Sequence, residues 1–509
     1  MAKSAGANKR NDENKINPGI KLTFVAVAIL CVIMLVYTVV DSMGIFDRNT
    51  TAMTVGEDEI NVSELSMYYH TSRSNFLSQY ADVLMMYGYD YTSSTFDAQP
   101  CLMDNTVTWR QYFLEEAEAS AQEISILYQE AQKNGYTEMS EADKANYDNY
   151  FTQLSAAAKE QGVSESKYLK MVYGNGATME AVQEYYAKRC LAAGYYETVV
   201  DSFGIDQAQI DDYYASHAAE YDLVEYYAYD VDFSVVTYNA ESTAEGAAKS
   251  EEEAKAMTQA NMDAAKADAD ALLAKLENDG SNFDETIQAY LGDKMEYGTG
   301  RKEVVLSSAS SAVQAWLKED GRAEGDKAVI LDETNQTYTV VVYIGTHADE
   351  QQTLAVRHTL LKTETAATSA TDAEKAEVEA KNAEVKAQAE ALYSEWKAAG
   401  ATEEAFIQMA KDHSEDGSAS QGGLYTGVFK GQMVEEFDAW CFDEARQPGD
   451  HGIVETSYGY HIMYFVEHEG LKVQSDIRAA LESEAYNEYL EEMQDTYDTD
   501  YNDKGINRL

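Results

Sequence analysis

The chain has 509 residues, of which 45% are hydrophobic, so most of it can fold. A chain of this length is expected to form roughly three or four domains. Its formal net charge is -52, and a nucleic-acid backbone would repel so acidic a protein, which excludes nucleic acid as a partner. The acidity indicates solubility and location more than a binding function.

The four cysteines show no metal-ligand spacing. Cys31 lies inside an apolar segment. A disulfide between Cys101 and Cys190 is left open, whereas Cys441, which has aromatic neighbours, is expected to be a small core residue. We predict no metal site and no cofactor.

The N-terminal region reads as a membrane anchor. A polar, basic segment at 1–19 precedes the apolar run 20–40, which only Lys21 interrupts. A helix of this length covers about 30 Å, the thickness of a bilayer's hydrocarbon core. Basic residues before the run and Asp41 after it predict a transmembrane helix over 20–41, with 1–19 in the cytoplasm. A cleaved signal peptide is the rival, but it would have a shorter apolar region and a clear small-residue cleavage site.

A short hairpin at 54–62, with a turn at Gly56, precedes a long helical region. The pattern predicts a helical domain over 42–221, in which tyrosine pairs such as Tyr68-Tyr69 recur. Helix packing is the preferred interpretation of any single tyrosine. The alternative is an adaptable aromatic surface for unfolded segments.

An internal repeat predicts two copies of one fold, at 222–348 and 352–468. Trp316 and Trp440 occupy matching positions in the two copies. Each copy reads as a strand, a charged helix, two further helices and a strand. Ala/Glu/Lys-rich runs near 240–264 and 363–382 are charged surface helices or mobile insertions. An acidic helical tail, 469–509, follows.

Four sequence motifs lie in the second copy. They lie at 356–362 around His358, at 414–424, at 431–437, and at 456–461, which ends on His461. In this order and spacing they resemble a parvulin-type peptidyl-prolyl isomerase over about 358–467. The wider layout resembles the membrane-associated foldases of the PrsA and SurA kind, which join a helical chaperone region to one or two parvulin domains, one of them often degenerate.

The resemblance assigns a polar centre. His358 and His461 match the paired histidines of the family, and Thr456 matches the threonine that bonds to the second histidine. Asp416 stands where the family has Cys or Asp. No Arg pair follows His358, so specificity for phosphorylated substrates is not implied.

The resemblance also assigns a substrate pocket. Met433 and Phe437 match the apolar wall that receives proline, and Gln432 matches the glutamine before that methionine. Leu424 is assigned to the pocket from the glycine motif. That motif departs from the family because 422–427 reads as one residue longer than the usual pattern.

The first copy lacks this centre. Sequence matching puts Tyr226 near the position of His358 and Thr339 at that of His461. Val313 and Ala309 stand where Phe437 and Met433 stand, and we predict a degenerate domain. The matched positions, in order, are Tyr226, Thr339, Val313 and Ala309.

The fold class implied is α+β: a transmembrane helix, a helical chaperone region, two parvulin-like domains with the first degenerate, and a C-terminal helical tail. The implied function is a membrane-anchored foldase on the cell-wall side that isomerises X-Pro bonds in exported proteins. Its partners are unfolded or partly folded exported proteins, with a homodimer left open. The alternative is a holdase whose parvulin folds only grip extended segments.

Overall fold

The computed structural model describes residues 18–239, 247–292, 297–319 and 321–509, and of residues 18–29 and 142 it describes the backbone alone. Helices and strands are mixed, as the predicted α+β class requires. The helices are α1 Pro18–Ser42, α2 Ile45–Arg48, α3 Val62–Met86, α4 Trp109–Lys133, α5 Glu141–Glu160, α6 Glu165–Tyr173, α7 Met179–Ser202, α8 Gln207–Tyr221, α9 Glu251–Leu273, α10 Phe283–Leu291, α11 Ser311–Leu317, α12 Asp372–Ala398, α13 Glu403–His413, α14 Glu435–Cys441, α15 Lys472–Thr496 and α16 Asp503–Ile506. The strands are β1 Thr51–Val55, β2 Asp58–Asn61, β3 Leu223–Asp232, β4 Arg301–Val305, β5 Lys327–Asp332, β6 Thr337–His347, β7 Gln352–Lys362, β8 Leu424–Phe429, β9 His451–Thr456, β10 Gly459–Leu471 and β11 Thr499–Tyr501.

Local side chains fix where several helices begin. Thr108 and Gln111 form a capping box at the start of α4, and Thr371 and Glu374 form one at the start of α12. Each box satisfies backbone N–H groups that the first helical turn leaves without a partner. The second box starts α12 inside the predicted Ala/Glu/Lys-rich run 363–382. The first such run includes residues 240–246, which lie outside the described part of the chain.

The chain divides into two compact units, and the first comprises Met1–Gly204 and Glu482–Leu509. Its described part is largely helical, around a core in which the Trp109 ring stacks on Phe96 and Phe113. The predicted hairpin is confirmed as β1 and β2. β11, from the C-terminal tail, adds to β1 in a sheet of order β11-β1-β2.

The predicted anchor falls on α1. Among the residues that the structure describes, no helix has both the length and the apolar character needed to cross a bilayer. The side chains of 18–29, in the first half of the predicted span 20–41, lie outside the described residues, as do residues 1–17 of the predicted tail 1–19. The apolar side chains from Leu30 to Val39 are exposed.

The second unit, Ile205–Leu481, holds two four-stranded sheets of orders β4-β3-β6-β5 and β8-β7-β10-β9. Taken in chain order, each has its first strand in the centre beside its last. Smaller details repeat too: the Arg322 guanidinium lies 3.7 Å from the Trp316 ring centroid, and Arg446 lies 4.0 Å from that of Trp440. The two halves of this unit therefore share one strand topology.

The cysteines carry no disulfide in the described part of the chain. Cys101 and Cys190 are both free, so the pairing that the sequence left open is not formed. Cys441 is buried, as expected of a core residue, and burial raises the pKa of its thiol to about 12.

Candidate active site

Two neighbouring strands bring the predicted histidines together. In the antiparallel ladder of β7 and β10, His358 lies opposite Met463 and Leu360 lies opposite His461. The histidines are therefore diagonal neighbours on one face of the sheet. Their Nδ1 atoms are 3.0 Å apart, and the side chains are buried, with 1% and 5% of the residue exposed.

A polar chain extends from both ends of this pair. At one end, His461 Nε2 is 2.9 Å from Thr456 Oγ1, which also accepts a hydrogen bond from the Tyr458 N–H at 3.1 Å. At the other end, His358 Nε2 is 3.3 Å from Asp416 Oδ1. The structure thus joins Asp416, His358, His461 and Thr456, the four predicted catalytic residues, in one line.

The hydrogen-bond partners of the two imidazoles determine which ring nitrogen of each carries a proton. Burial is the largest cause that lowers the pKa of His461 to about 4, so this imidazole is neutral near pH 7. Thr456 already accepts from Tyr458 and has no other acceptor among the described residues, so its hydroxyl donates to His461 Nε2. His461 Nδ1–H then donates to His358, whose own proton lies on Nε2 toward Asp416. Every polar hydrogen in the chain is accounted for.

Asp416 ends this chain as an ionised acceptor. Hydrogen bonding from His358 is the largest cause that holds the pKa of Asp416 well below its ordinary range, and Ser418 contributes further. The Ser418 N–H and hydroxyl donate to Asp416 Oδ1 at 2.9 and 2.6 Å, and the Tyr425 hydroxyl donates at 3.0 Å. An ionised carboxylate accepts hydrogen bonds and has no proton to donate, so the proton between Asp416 and His358 lies on His358 Nε2.

Gly423 lets the loop carrying Asp416 close against β7. Its carbonyl accepts the His358 N–H at 2.8 Å, and its φ of +71° is in the left-handed region. A Cβ there would lie 2.1 Å from the carbonyl oxygen of His358. Only glycine combines that conformation with so close an approach.

The predicted apolar wall lies beside the imidazoles. The Phe437 ring meets both histidine rings edge-on, with centroids 5.4 Å away in each case. Phe437 is buried in a cluster against which Met433 and Tyr425 pack, both partly exposed. Apolar surface and the polar chain therefore meet at one place.

Two predicted pocket residues lie elsewhere. Leu424 faces Arg357 across the ladder, and the Arg357 guanidinium bonds to Glu403 on α13. Because successive strand residues alternate faces, Leu424 lies on the face away from His358, and the prediction for it is wrong. Gln432 is exposed; its side chain accepts the Phe429 N–H, and no bond joins it to the polar chain among the described residues.

The position expected of Leu424 is held by its neighbour Tyr425, whose ring centroid is 4.7 Å from that of His358. The sequence reasoning missed Tyr425 and Ser418. Both lie within or next to a motif, but their role depends on which strand face they occupy and on a loop conformation that spacing does not reveal.

Among its described residues, the first copy has no such chain at the matching place. Thr339 lies opposite Asp230, and its hydroxyl donates to that carboxylate at 2.6 Å. Two residues earlier on β3, Ala228 pairs with Val341, just as His358 pairs with Met463. The ladder thus aligns Ala228, rather than the predicted Tyr226, with His358, and the surrounding cluster is apolar.

The neutral state of His461 predicts a pH effect on stability. An unfolded histidine binds a proton near pH 6.5, whereas folded His461 does so near pH 4, so stability is complete above pH 6.5 and falls toward pH 4. We expect this residue to account for up to about 3 kcal/mol of that loss. Chemical denaturation at several pH values should show that the free energy of unfolding falls less steeply with decreasing pH in His461→Asn than in the wild-type chain. Equal slopes for the two proteins would contradict the prediction.

Comparison with known proteins adds to this geometry. Residues 358–467 match the family model described as rotamase, PPIC-type PPIASE domain. This region is a parvulin-type isomerase domain. The resemblance drawn from the motifs is therefore confirmed for the part of the chain that contains the polar chain and the apolar wall.

Relatives of this parvulin-type domain include two kinds of protein. The chain is 34% identical over 91 residues to foldase protein PrsA 3 of Bacillus anthracis, covering 18% of this chain and 31% of that protein. It is 30% identical over 104 residues to chaperone SurA of Chromobacterium violaceum, covering 18% and 23%. The chain thus spans less than a third of the length of these relatives.

Solved structures give partial matches. A crystal structure of PrsA from Bacillus subtilis is 23% identical and covers 28% of this chain and 49% of that one, with a TM-score of 0.20. A crystal structure of PrsA from Bacillus cereus is 17% identical and covers 51% and 90%, also with a TM-score of 0.20.

Proposed function

We propose that the protein is a foldase that catalyses cis–trans isomerisation of X-Pro bonds in unfolded polypeptides. The observation that carries the proposal is the buried His358–His461 pair beside the apolar wall of Phe437, which is buried, and Met433, which is partly exposed. The parvulin-type family match of this region supports the same reaction.

The chemistry fits the groups present. Rotation about an amide must pass a twisted state without resonance, at a cost of about 18–20 kcal/mol. The planar amide is the more dipolar form, so a pocket that excludes water favours the twisted one, and binding it better than either planar form speeds rotation. Phe437 and Met433 supply the apolar surface for the proline ring. The hydrogen-bonded chain from Asp416 to Thr456 fixes the orientation of the imidazoles, and no covalent bond forms.

A proline-containing tetrapeptide assay on the full chain tests the proposal with Met433→Ala. We expect kcat/KM to fall about tenfold, because the lost wall is worth roughly 1–3 kcal/mol of binding. Met409→Ala is the matched control: Met409 is buried in the same domain, in the cluster around Phe406 and Trp396. The control should lose more stability yet keep its activity. An inactive wild-type chain, or equal activities of the two variants, would refute the proposal.

A second candidate is a holdase that grips clients without catalysis, and an exposed apolar surface favours it. Val83, Met85, Met86 and Tyr87, at the end of α3, and Met103 are all exposed. Met86, with 85% of its surface exposed, is the most open of them. Flexible methionines suit a surface that must adapt to many partners. Met85→Ser/Met86→Ser should weaken suppression of client aggregation; unchanged suppression would remove this candidate.

The location also belongs to the proposal. The basic segment before the apolar run, the helical backbone of α1 and its exposed side chains from Leu30 onward support a membrane anchor over 20–41. The bulk of the chain would then lie on the cell-wall side, where its clients would be exported proteins. Alkaline carbonate extraction of membranes tests this: release of the full chain into the soluble fraction would contradict an anchor.

A further inference from the structure

Tyr425 contacts both partners of the link between the histidine pair and its acceptor. Its hydroxyl donates to Asp416 Oδ1 at 3.0 Å, and its ring centroid lies 4.7 Å from that of His358 at a tilt of 42°. The side chain packs at the edge of the apolar cluster beside Phe437. One residue thus touches the carboxylate, the imidazole and the wall.

Ser418 lies on the same loop as Asp416 and also contacts both partners. Its N–H and hydroxyl donate to Asp416 Oδ1, and its Oγ lies 3.4 Å from His358 Nε2. Tyr425 is on β8, which pairs directly with β7, and Tyr425 lies opposite Val356 two residues from His358. The Tyr425 hydroxyl therefore ties the carboxylate of Asp416 to a strand of this sheet. The backbone of the loop is held separately, by the Glu415 N–H, which donates to the Leu360 carbonyl of β7 at 2.8 Å.

We propose that Tyr425 is a positioning residue of the isomerase centre: it holds Asp416 against His358, so that the His358 proton stays on Nε2 and both imidazoles keep one tautomer. The effect on catalysis rests on the proposed function. The tautomer is a property of the folded chain and can be measured without any activity. Asp416 and His358 belong to the proposed isomerase centre, and Tyr425 acts through them.

The test compares Tyr425→Phe with Tyr393→Phe in the full chain. Tyr393 is a matched control, since its hydroxyl bonds His451 Nδ1 at 2.7 Å in the same domain but outside the site. Nitrogen-15 NMR of labelled histidines should show the His358 tautomer ratio shifting several-fold in Tyr425→Phe and unchanged in the control. We expect kcat/KM to fall about tenfold, the size of one hydrogen bond to a charged group, with KM little changed.

The tautomer ratio is a readout that loss of packing would not move. An unchanged His358 tautomer ratio in Tyr425→Phe would overturn the proposal. If Tyr425→Phe does not fold, Tyr425→Trp and Tyr425→Leu are compared instead. Tryptophan keeps an aromatic ring and an N–H donor, whereas leucine keeps neither. Equal His358 tautomer ratios in these two variants would overturn the proposal. A wild-type chain without activity would refute the proposed function, while the NMR result would still decide the role of Tyr425.

Discussion

Replacing His461 by alanine should lower kcat/KM for X-Pro isomerisation about a hundredfold, a loss of roughly 2–3 kcal/mol of transition-state stabilisation. The imidazole is the middle of the polar chain, so its removal leaves the Thr456 hydroxyl without an acceptor and His358 Nδ1 without a donor, both buried. It also removes one of the two rings that Phe437 meets edge-on. His358 would then be free to turn or change tautomer.

His451→Ala is the control for this prediction. His451 also bonds a hydroxyl, that of Tyr393, and meets the Trp396 ring edge-on, but it lies outside the polar chain. Both variants lose a partly or fully buried imidazole, so a general loss of packing would affect both. Activity should fall only in His461→Ala. Similar rates for the two variants would show that the histidine pair supports the fold alone.

The sequence predicted the centre of this site well because its motifs combine local patterns with residue types that are rarely buried. His358 and His461 lie 103 positions apart, and no local rule pairs them; the family pattern did, and the β7–β10 ladder agrees. The choice between Leu424 and Tyr425 went wrong for a physical reason. A shift of one residue along a strand reverses the face, and the β7–β8 ladder has an irregularity between Leu354 and Val356 that spacing alone does not reveal.

The same limit explains the first copy. Sequence matching put Tyr226 near the position of His358, two residues from the Ala228 that the ladder indicates. An offset of two preserves the strand face, so Tyr226 and Ala228 both lie on the face that matches that of His358. The predicted domain limits at 222, 352 and 469 stay predictions. The sequence gives no signal for a contact between charged residues that lie far apart in the chain and belong to no motif.

Such a contact lies in the first unit. Lys188, on α7, is ion-paired with Asp58 on β2 and, at 2.9 Å, with Glu64 on α3; all three side chains are largely buried. The Ser125 hydroxyl also donates to Asp58, at 2.5 Å. Burial disfavours the charge on Lys188, but the two carboxylates outweigh it and raise the pKa of Lys188. For Glu64, burial is the largest effect and raises the pKa, although the ion pair with Lys188 acts to lower it.

Lys188→Met should therefore destabilise the first unit by about 3–5 kcal/mol at pH 7, because two buried carboxylates lose their cation. Lys144→Met is the control: Lys144 pairs with Asp148 on the exposed surface of α5, where loss of the pair should cost less than about 1 kcal/mol. Hydrogen exchange of amides in α7 and β2 measures both variants without interference from the second unit.

The pH dependence distinguishes lost charge from lost packing. Once Lys188 is gone, the pKa of Glu64 rises further above that of the unfolded chain, so the folded form gains stability relative to the unfolded one as pH falls toward that of an ordinary glutamate. The deficit of Lys188→Met should shrink between pH 7 and pH 5, and adding Asp58→Asn and Glu64→Gln should recover most of it at pH 7. A deficit that is constant with pH and persists in the triple variant would mean that the lysine stem, rather than its charge, stabilises this unit.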